Sequence, residues 1–267
     1  MKRTNTSILR IALLAICLGV AQKASGSAID AYLAPPSDQA STETVGATTE
    51  TFGATAMSTA SYTSTIGTFT SASNFSIVAH DQYGGAGAAG DYLAFGAESG
   101  HSTPITLTLT TPADYLGVWI SAADANNGIS FYSGATLVGR FTTSSLLTLL
   151  DNTTLTENNG STETSASYLG NPNNRTQNAG QPYAYVDFIG NGTTISSIVL
   201  DNSGTNATGF ESDNYTVVDS AVTPPPSDVF ITAVPEPSQY GVLLGGLVFC
   251  LVAGHRLVKR FRVRAQA

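Results

Sequence analysis

The sequence predicts an all-β body, a β-sandwich of jelly-roll type, framed by an N-terminal signal peptide and a single C-terminal transmembrane helix. Three observations carry this. Between residues 29 and 220, short runs alternate apolar and polar residues with period two and are rich in β-branched and aromatic side chains. Clusters of Gly, Asn and Ser separate these runs, and none keeps an apolar period of 3.6. Each end of the chain instead carries one continuous apolar stretch beside basic residues.

Taken in order, the chain opens with Lys2, Arg3 and Arg10 before an apolar run at 11–21, then small residues at Ala24-Ser25-Gly26 and Gly26-Ser27-Ala28. That is the layout of a secretory signal peptide, expected over residues 1–28. Cys17 lies in this segment and Cys250 in the tail, so the exported body has no disulfide, thiol nucleophile or cysteine-based metal site. Residues 35–75 are rich in Thr, Ser, Ala and Gly and read as weak edge strands and loops. The period-two pattern is then clear in ITLTLT and in YLGVWIS, where Leu116, Val118 and Ile120 share one face and Trp119 takes the other. ISFYSGATLVGRF reads as a hairpin turning at Ser133-Gly134. SLLTLL and a long polar insertion over 151–181 come next, and such insertions are commonly functional. YAYVDFIG, TISSIVLDNS and GFESDNYTVVD complete the body at residue 220. A Pro-rich linker is expected over 221–234, because three consecutive prolines supply no ladder donors.

Charge is divided along the chain. Residues 29–220 hold 17 Asp and Glu against Arg140 and Arg175, a net −15. Such a body repels nucleic acid and suits a soluble exported protein, its acids keeping a Thr-rich surface soluble, with attraction of divalent cations as the alternative. Arg256, Lys259, Arg260, Arg262 and Arg264 follow the C-terminal apolar run, whose ends are Tyr240 and Gly254. That run has 15 residues, short of the ~20 that cross a bilayer core. The basic end favours a cytoplasmic C-terminus with the body outside.

Pro235, Glu236 and Pro237, the short apolar helix and the basic end form an ordered triple at residues 235–264. This triple, with a signal peptide at the other end, resembles a PEP-CTERM sorting signal. The resemblance implies a Gram-negative exported protein, held transiently in the inner membrane, recognised at Pro-Glu-Pro by an exosortase, and released to the cell surface or to extracellular polymer such as a biofilm matrix. DQYGGAGAAGDYLAFG, DYLGVWISAADANNGISFYSGATLVGRF, SYLGNPN, PYAYVDFIGNG and GFESDNYTV similarly resemble the β-rich bodies of such surface proteins. That likeness brings no catalytic residues.

Motifs within the body point to little chemistry. Gly85 to Gly90 fit G-x-G-x-x-G, but strand-like DYLAFG follows where a dinucleotide site needs a helix, so a glycine-rich turn is expected. Asp124, Asn126 and Asn127 crowd one inter-strand loop, and Glu211, Asp213 and Asn214 lie together near the body's end. Their oxygens suit Ca²⁺, with Asp213 the first choice and Asp124 the second, against the alternative that they cap turns. No other cofactor is required. His80 and His101 belong to no H-E-x-x-H, and G-x-S-x-G is absent. Trp119, Tyr115, Tyr132, Tyr183 and Tyr185 offer a sugar-stacking platform, against the alternative, commoner for aromatics in alternating strands, of core or cross-strand pairs; Trp119, opposite the apolar face of its strand, is expected to meet solvent or a ligand. The expectation is a non-enzymatic adhesion or carbohydrate-contact protein linked to exopolysaccharide. A secreted polysaccharide hydrolase is the alternative, since paired acids are positioned only in three dimensions.

Overall fold

The computed structural model describes residues 27–234 apart from 37, 54, 55, 98 and 204–206. The signal segment through residue 26, Pro235-Glu236-Pro237, the apolar run and the basic end lie outside the described residues. Among those described, no helix is long and apolar enough to cross a membrane.

Among the described residues, fifteen strands form: β1 (Ile29–Leu33), β2 (Thr48–Glu50), β3 (Met57–Thr63), β4 (Gly67–Ala79), β5 (Asp91–Gly96), β6 (Ile105–Ala113), β7 (Tyr115–Ser121), β8 (Gly128–Ser133), β9 (Thr136–Thr142), β10 (Thr154–Thr156), β11 (Thr162–Thr164), β12 (Ala184–Gly190), β13 (Ile195–Asp201), β14 (Gly209–Val218) and β15 (Val229–Val234). All but the small β10–β11 hairpin join one antiparallel sheet in the order β15-β1-β12-β7-β14-β5-β4-β6-β13-β8-β9, with β2 added on β14 and β3 on β4. The sheet curls on itself. Its outer strands meet where Gly139 of β9 backs on Val234 of β15, close enough that a Cβ at 139 would press into the valine. Strand β4 makes the bend: residues 67–71 pair with β6, and residues 76–79 pair with β5.

Alternation builds the core enclosed by this curl. Leu116, Val118 and Ile120 of β7 and Val186 and Phe188 of β12 point inward and are fully buried. Phe188 meets Phe131 of β8 at 4.7 Å and Phe141 of β9 at 5.1 Å between ring centroids, so strands far apart in the sheet order face each other across the core. The 128–142 hairpin forms as its sequence predicts, with Gly134 at φ 59° in the turn.

Four expectations change. Strand β4 is interior, so the Thr-rich stretch is not merely weak edge. SLLTLL lies in a helix, α1 (Thr143–Leu150), which drops Leu146 into the core while Leu149 and Leu150 pack on it. That i, i+3, i+4 spacing is helical, but eight residues are too few to stand out as a period. Residues 27 and 28, assigned to the signal, belong to the body: Ser27 Oγ donates to Val234 O at 2.7 Å and Ala28 is buried. Finally, the expected linker is largely structured. Residues 225 and 226 accept backbone bonds from Asp228 and Asn159, and β15 then pairs with β1. The prolines end the ladder without freeing the chain, because Val229, Phe230 and Ile231 restart an apolar pattern.

Candidate functional site

The outer face of β12, β7 and β14 carries Tyr185, Trp119 and Asp213 side by side in register. An uncovered sheet would show Trp119 to solvent. Instead Trp119 is 1% exposed and packs on Tyr183, ring centroids 5.9 Å apart, with Ala34, Ala122 and Tyr185 around it. Three loops cover the face. Tyr183 Oη and Asn178 Nδ2 donate to Gln82 O at 2.6 and 2.9 Å, and Tyr168 Oη donates to Ala34 O at 2.9 Å. Strand alternation tells which side a residue takes, and says nothing of what lies over that side. Because Trp119 is the only tryptophan, its emission should be blue-shifted and resist iodide quenching in the native protein. Free quenching would contradict this burial.

The glycine-rich turn supplies one rim of a cleft of about 540 Å³. Residues Ala86–Ala88 form a single 3₁₀ turn, so the dinucleotide reading has no helix to stand on. Gly85 sits at φ 91° against His80, whose Cβ any side chain there would overlap. Asp213 Oδ2 accepts the Ala86 N–H at 2.9 Å, and Gln39 Oε1 accepts the Gly87 N–H at 2.7 Å. The polar insertion supplies the other rim through successive asparagine turns: Asn174 N donates to Asn171 O at 2.9 Å and Gln177 N to Asn174 O at 2.8 Å. Arg175 braces them by donating to the carbonyls of Ser167 and Leu169. His80, Asp81, Gln82, Asn171, Asn173, Asn174 and Gln177 line the resulting cleft, with no Lys or Arg among its lining residues; Asp81 Oδ1 accepts the Tyr83 and Gly84 N–H groups and Tyr92 Oη. Five amides converge there: Asn171 is engaged at both ends, Asn173 pairs with Gln39, Asn174 Oδ1 accepts from Thr176, and the Gln82 and Gln177 side chains are left to offer a donor and an acceptor each.

A second cavity, of about 320 Å³, adjoins Tyr83 on the same loop. It brings together one member of each predicted calcium group, Asp124 and Glu211, with Gln181 and Thr208. The other members go elsewhere. Asn126 is exposed, and its carbonyl accepts Ser203 Oγ. Asp213, the first choice from sequence, is 2% exposed and spends both oxygens on backbone N–H groups, of Ala86 and of Asn214 at 2.6 Å. Burial raises its carboxyl to about 7, against the opposing pull of those two bonds. Asn214 donates to Gln39 O at 2.6 Å. Both residues therefore pin loops to β14. Among the described residues, no three His, Cys, Asp or Glu form a group suited to a metal.

One buried group was not foreseen. Asp187 on β12 and Asp228 just before β15 are almost inaccessible and hydrogen-bonded to each other. Tyr115 Oη donates to Asp187 Oδ1 and lies 2.6 Å from Ser41 Oγ. Gly117 clears the space for the Tyr115 and Tyr185 hydroxyls, which a side chain at that position would strike. Burial raises both carboxyls, and their direct bond requires one shared proton. The only hint in the sequence was an Asp inside the apolar run YVDFI.

No family model matches the chain, and no curated protein matches it. Among solved structures, a cyclase from Fischerella sp. TAU in complex with 4-(1H-indol-3-yl)butan-2-one is similar over 73% of this chain and 86% of its own, at 11% identity and a TM-score of 0.28. A likeness that slight carries no argument about fold or activity.

Proposed function

We propose that this is an exported, non-enzymatic surface or matrix protein whose body, a two-layer jelly-roll-like β-sandwich, contacts extracellular polysaccharide. The observation that supports this best is the amide-lined cleft. A planar amide offers a donor and an acceptor side by side, which suits neighbouring hydroxyls on a sugar ring. The lining is mostly neutral and polar, with Asp81 as its one carboxylate and no cation, which suits a neutral polymer better than an anionic one. The acidic body disfavours nucleic acid. Export, transient anchoring in the inner membrane and exosortase processing rest on the signal peptide and on the ordered Pro-Glu-Pro, apolar and basic segments. Aromatic stacking on Trp119 plays no part, since that ring is buried.

The hydrolase reading keeps one observation in its favour. Asp124 and Glu211 share a cavity, and burial raises the Asp124 carboxyl in the direction a general acid needs. Glycan-array binding run beside a reducing-sugar assay separates the two. Stable binding without sugar release is the expected result. Release without stable binding would replace the adhesion reading with the hydrolase.

A further inference from the structure

We propose that the cavity between the 122–124 turn and the 207–211 segment is a Ca²⁺ site, built on Asp124 and Glu211 and completed by neutral oxygens of Ser121, Thr208 and Gln181. It is separate from the amide cleft and does not depend on the polysaccharide reading.

Charge is the first support. Two carboxylates line this cavity and no Lys, Arg or His does. The two arginines of the body are committed elsewhere: Arg140 pairs with Asp201 at 2.6 Å, and Arg175 donates to backbone carbonyls. Glu211 is 4% exposed, and its carboxylate lies over Gly209, where any side chain would displace it.

The second support comes from neutral groups. Ser121 stands directly opposite Glu211 in the β7–β14 register. Side chains of such a pair share one face, with Cβ atoms about 5 Å apart. Ser121 is fully buried, and its Oγ has no hydrogen-bond partner among the described residues. Thr208, which lines the cavity, has a buried Oγ1 in the same condition. At the foot of the same turn Asn127 is fully buried with neither amide atom bonded, and its N–H holds Asp124 O at 3.1 Å. Native proteins leave few such atoms unsatisfied, and the Ser121 and Thr208 hydroxyls beside Glu211 point to a bound group that takes oxygen ligands. Gln181 donates from Nε2 to Ala122 O at 3.4 Å, leaving Oε1 to serve as a ligand.

Calcium fits better than magnesium. It accepts 6–8 oxygens of mixed type in irregular geometry, whereas Mg²⁺ demands a near-ideal octahedron and keeps its water. Two carboxylates with neutral oxygens match extracellular modules, with Kd on the order of 10⁻⁴–10⁻³ M.

The test uses the mature protein stripped with EDTA. CaCl₂ at about 10 mM should raise Tm by roughly 3–10 °C, and MgCl₂ should do far less. Tb³⁺ should luminesce through Tyr83 on the cavity wall and be displaced by Ca²⁺. Glu211→Gln and, on the half-buried turn, Asp124→Asn should each abolish both signals. Asp151→Asn, at an exposed position outside the cavity lining, should keep them. Absence of a calcium shift in the native protein overturns the proposal, as does a shift retained in both cavity variants. Sugar release that is lost in Glu211→Gln and indifferent to EDTA overturns it in favour of a catalytic acid pair.

Discussion

Replacing Pro235, Glu236 and Pro237 with alanines should leave the full-length chain in the inner membrane, with little or none reaching the cell surface. On the proposed sorting reading, two prolines favour an extended segment and oppose its joining the following apolar run as helix. Alanine is the best helix former, so the triple substitution would let that helix propagate through the recognition stretch. On that reading a processing enzyme of the exosortase type would lose both the side chains and the extended backbone it is proposed to recognise. The 15-residue apolar run is nearly long enough to cross, and if it extends to Val258 with Arg256 snorkelling it holds the unprocessed protein in place. Mass spectrometry of the mature protein with membrane fractionation reads the outcome. An unchanged mature mass and location would remove the sorting interpretation.

Raising the pH from about 4 to about 9 should destabilise the body by at least about 3 kcal/mol, with the Asp187–Asp228 pair as the main local source. The sign follows from proton binding. An unfolded Asp releases its proton near 3.9. Burial first, and then repulsion between the two carboxyls, lets the folded pair keep one proton up to about 9. Between those values the folded state binds more protons, so stability falls as pH rises. The contribution is complete below the unfolded value and gone above the folded one. Asp213, raised to about 7, adds to the loss in the same direction. Asp228→Asn separates this pair from the general repulsion of an acidic body. Its amide can donate to Asp187 permanently, so the variant should be more stable than the native protein at pH 8 and show a flatter profile. Hydrogen exchange gives the location: protection across Val229–Val234 should fall with pH in the native protein and hold in the variant. Equal pH profiles for the two proteins would show that the pair does not govern this region.

Much of the fold was legible because a strand with one covered face writes its period into the sequence. ITLTLT, YLGVWIS and the 128–142 hairpin all lie in strands for that reason. Strands β1 and β15 were harder to see, since IDAYL is only five residues and VFITAV sits behind three prolines. The site was less legible still. Asp124 and Glu211 meet because β7 and β14 are neighbours although 87 positions apart in sequence, a pairing no local pattern encodes. Asp213 looked equally suited as a ligand, yet one oxygen goes to the Ala86 N–H, brought in by a loop more than a hundred residues upstream, and the other to the N–H of its neighbour Asn214. Trp119 misled because its covering layer comes from 34–43, 80–90 and 165–183, segments whose polarity gives no sign of what they rest on. The amide cleft arises from the same layer, where His80 and Gln82 meet Asn171 to Gln177.

Polysaccharide contact at that cleft is tested most directly by isothermal titration of the mature protein with oligosaccharides from the extracellular polymer of the producing cells, alongside Gln82→Ala and Gln177→Ala. Both side chains lie on the cleft wall, away from the core. The native protein should bind, and each variant should lose about tenfold in affinity, the worth of roughly one hydrogen bond, with no change in Tm. Binding that survives both substitutions unchanged, or no binding at all, would contradict the assignment.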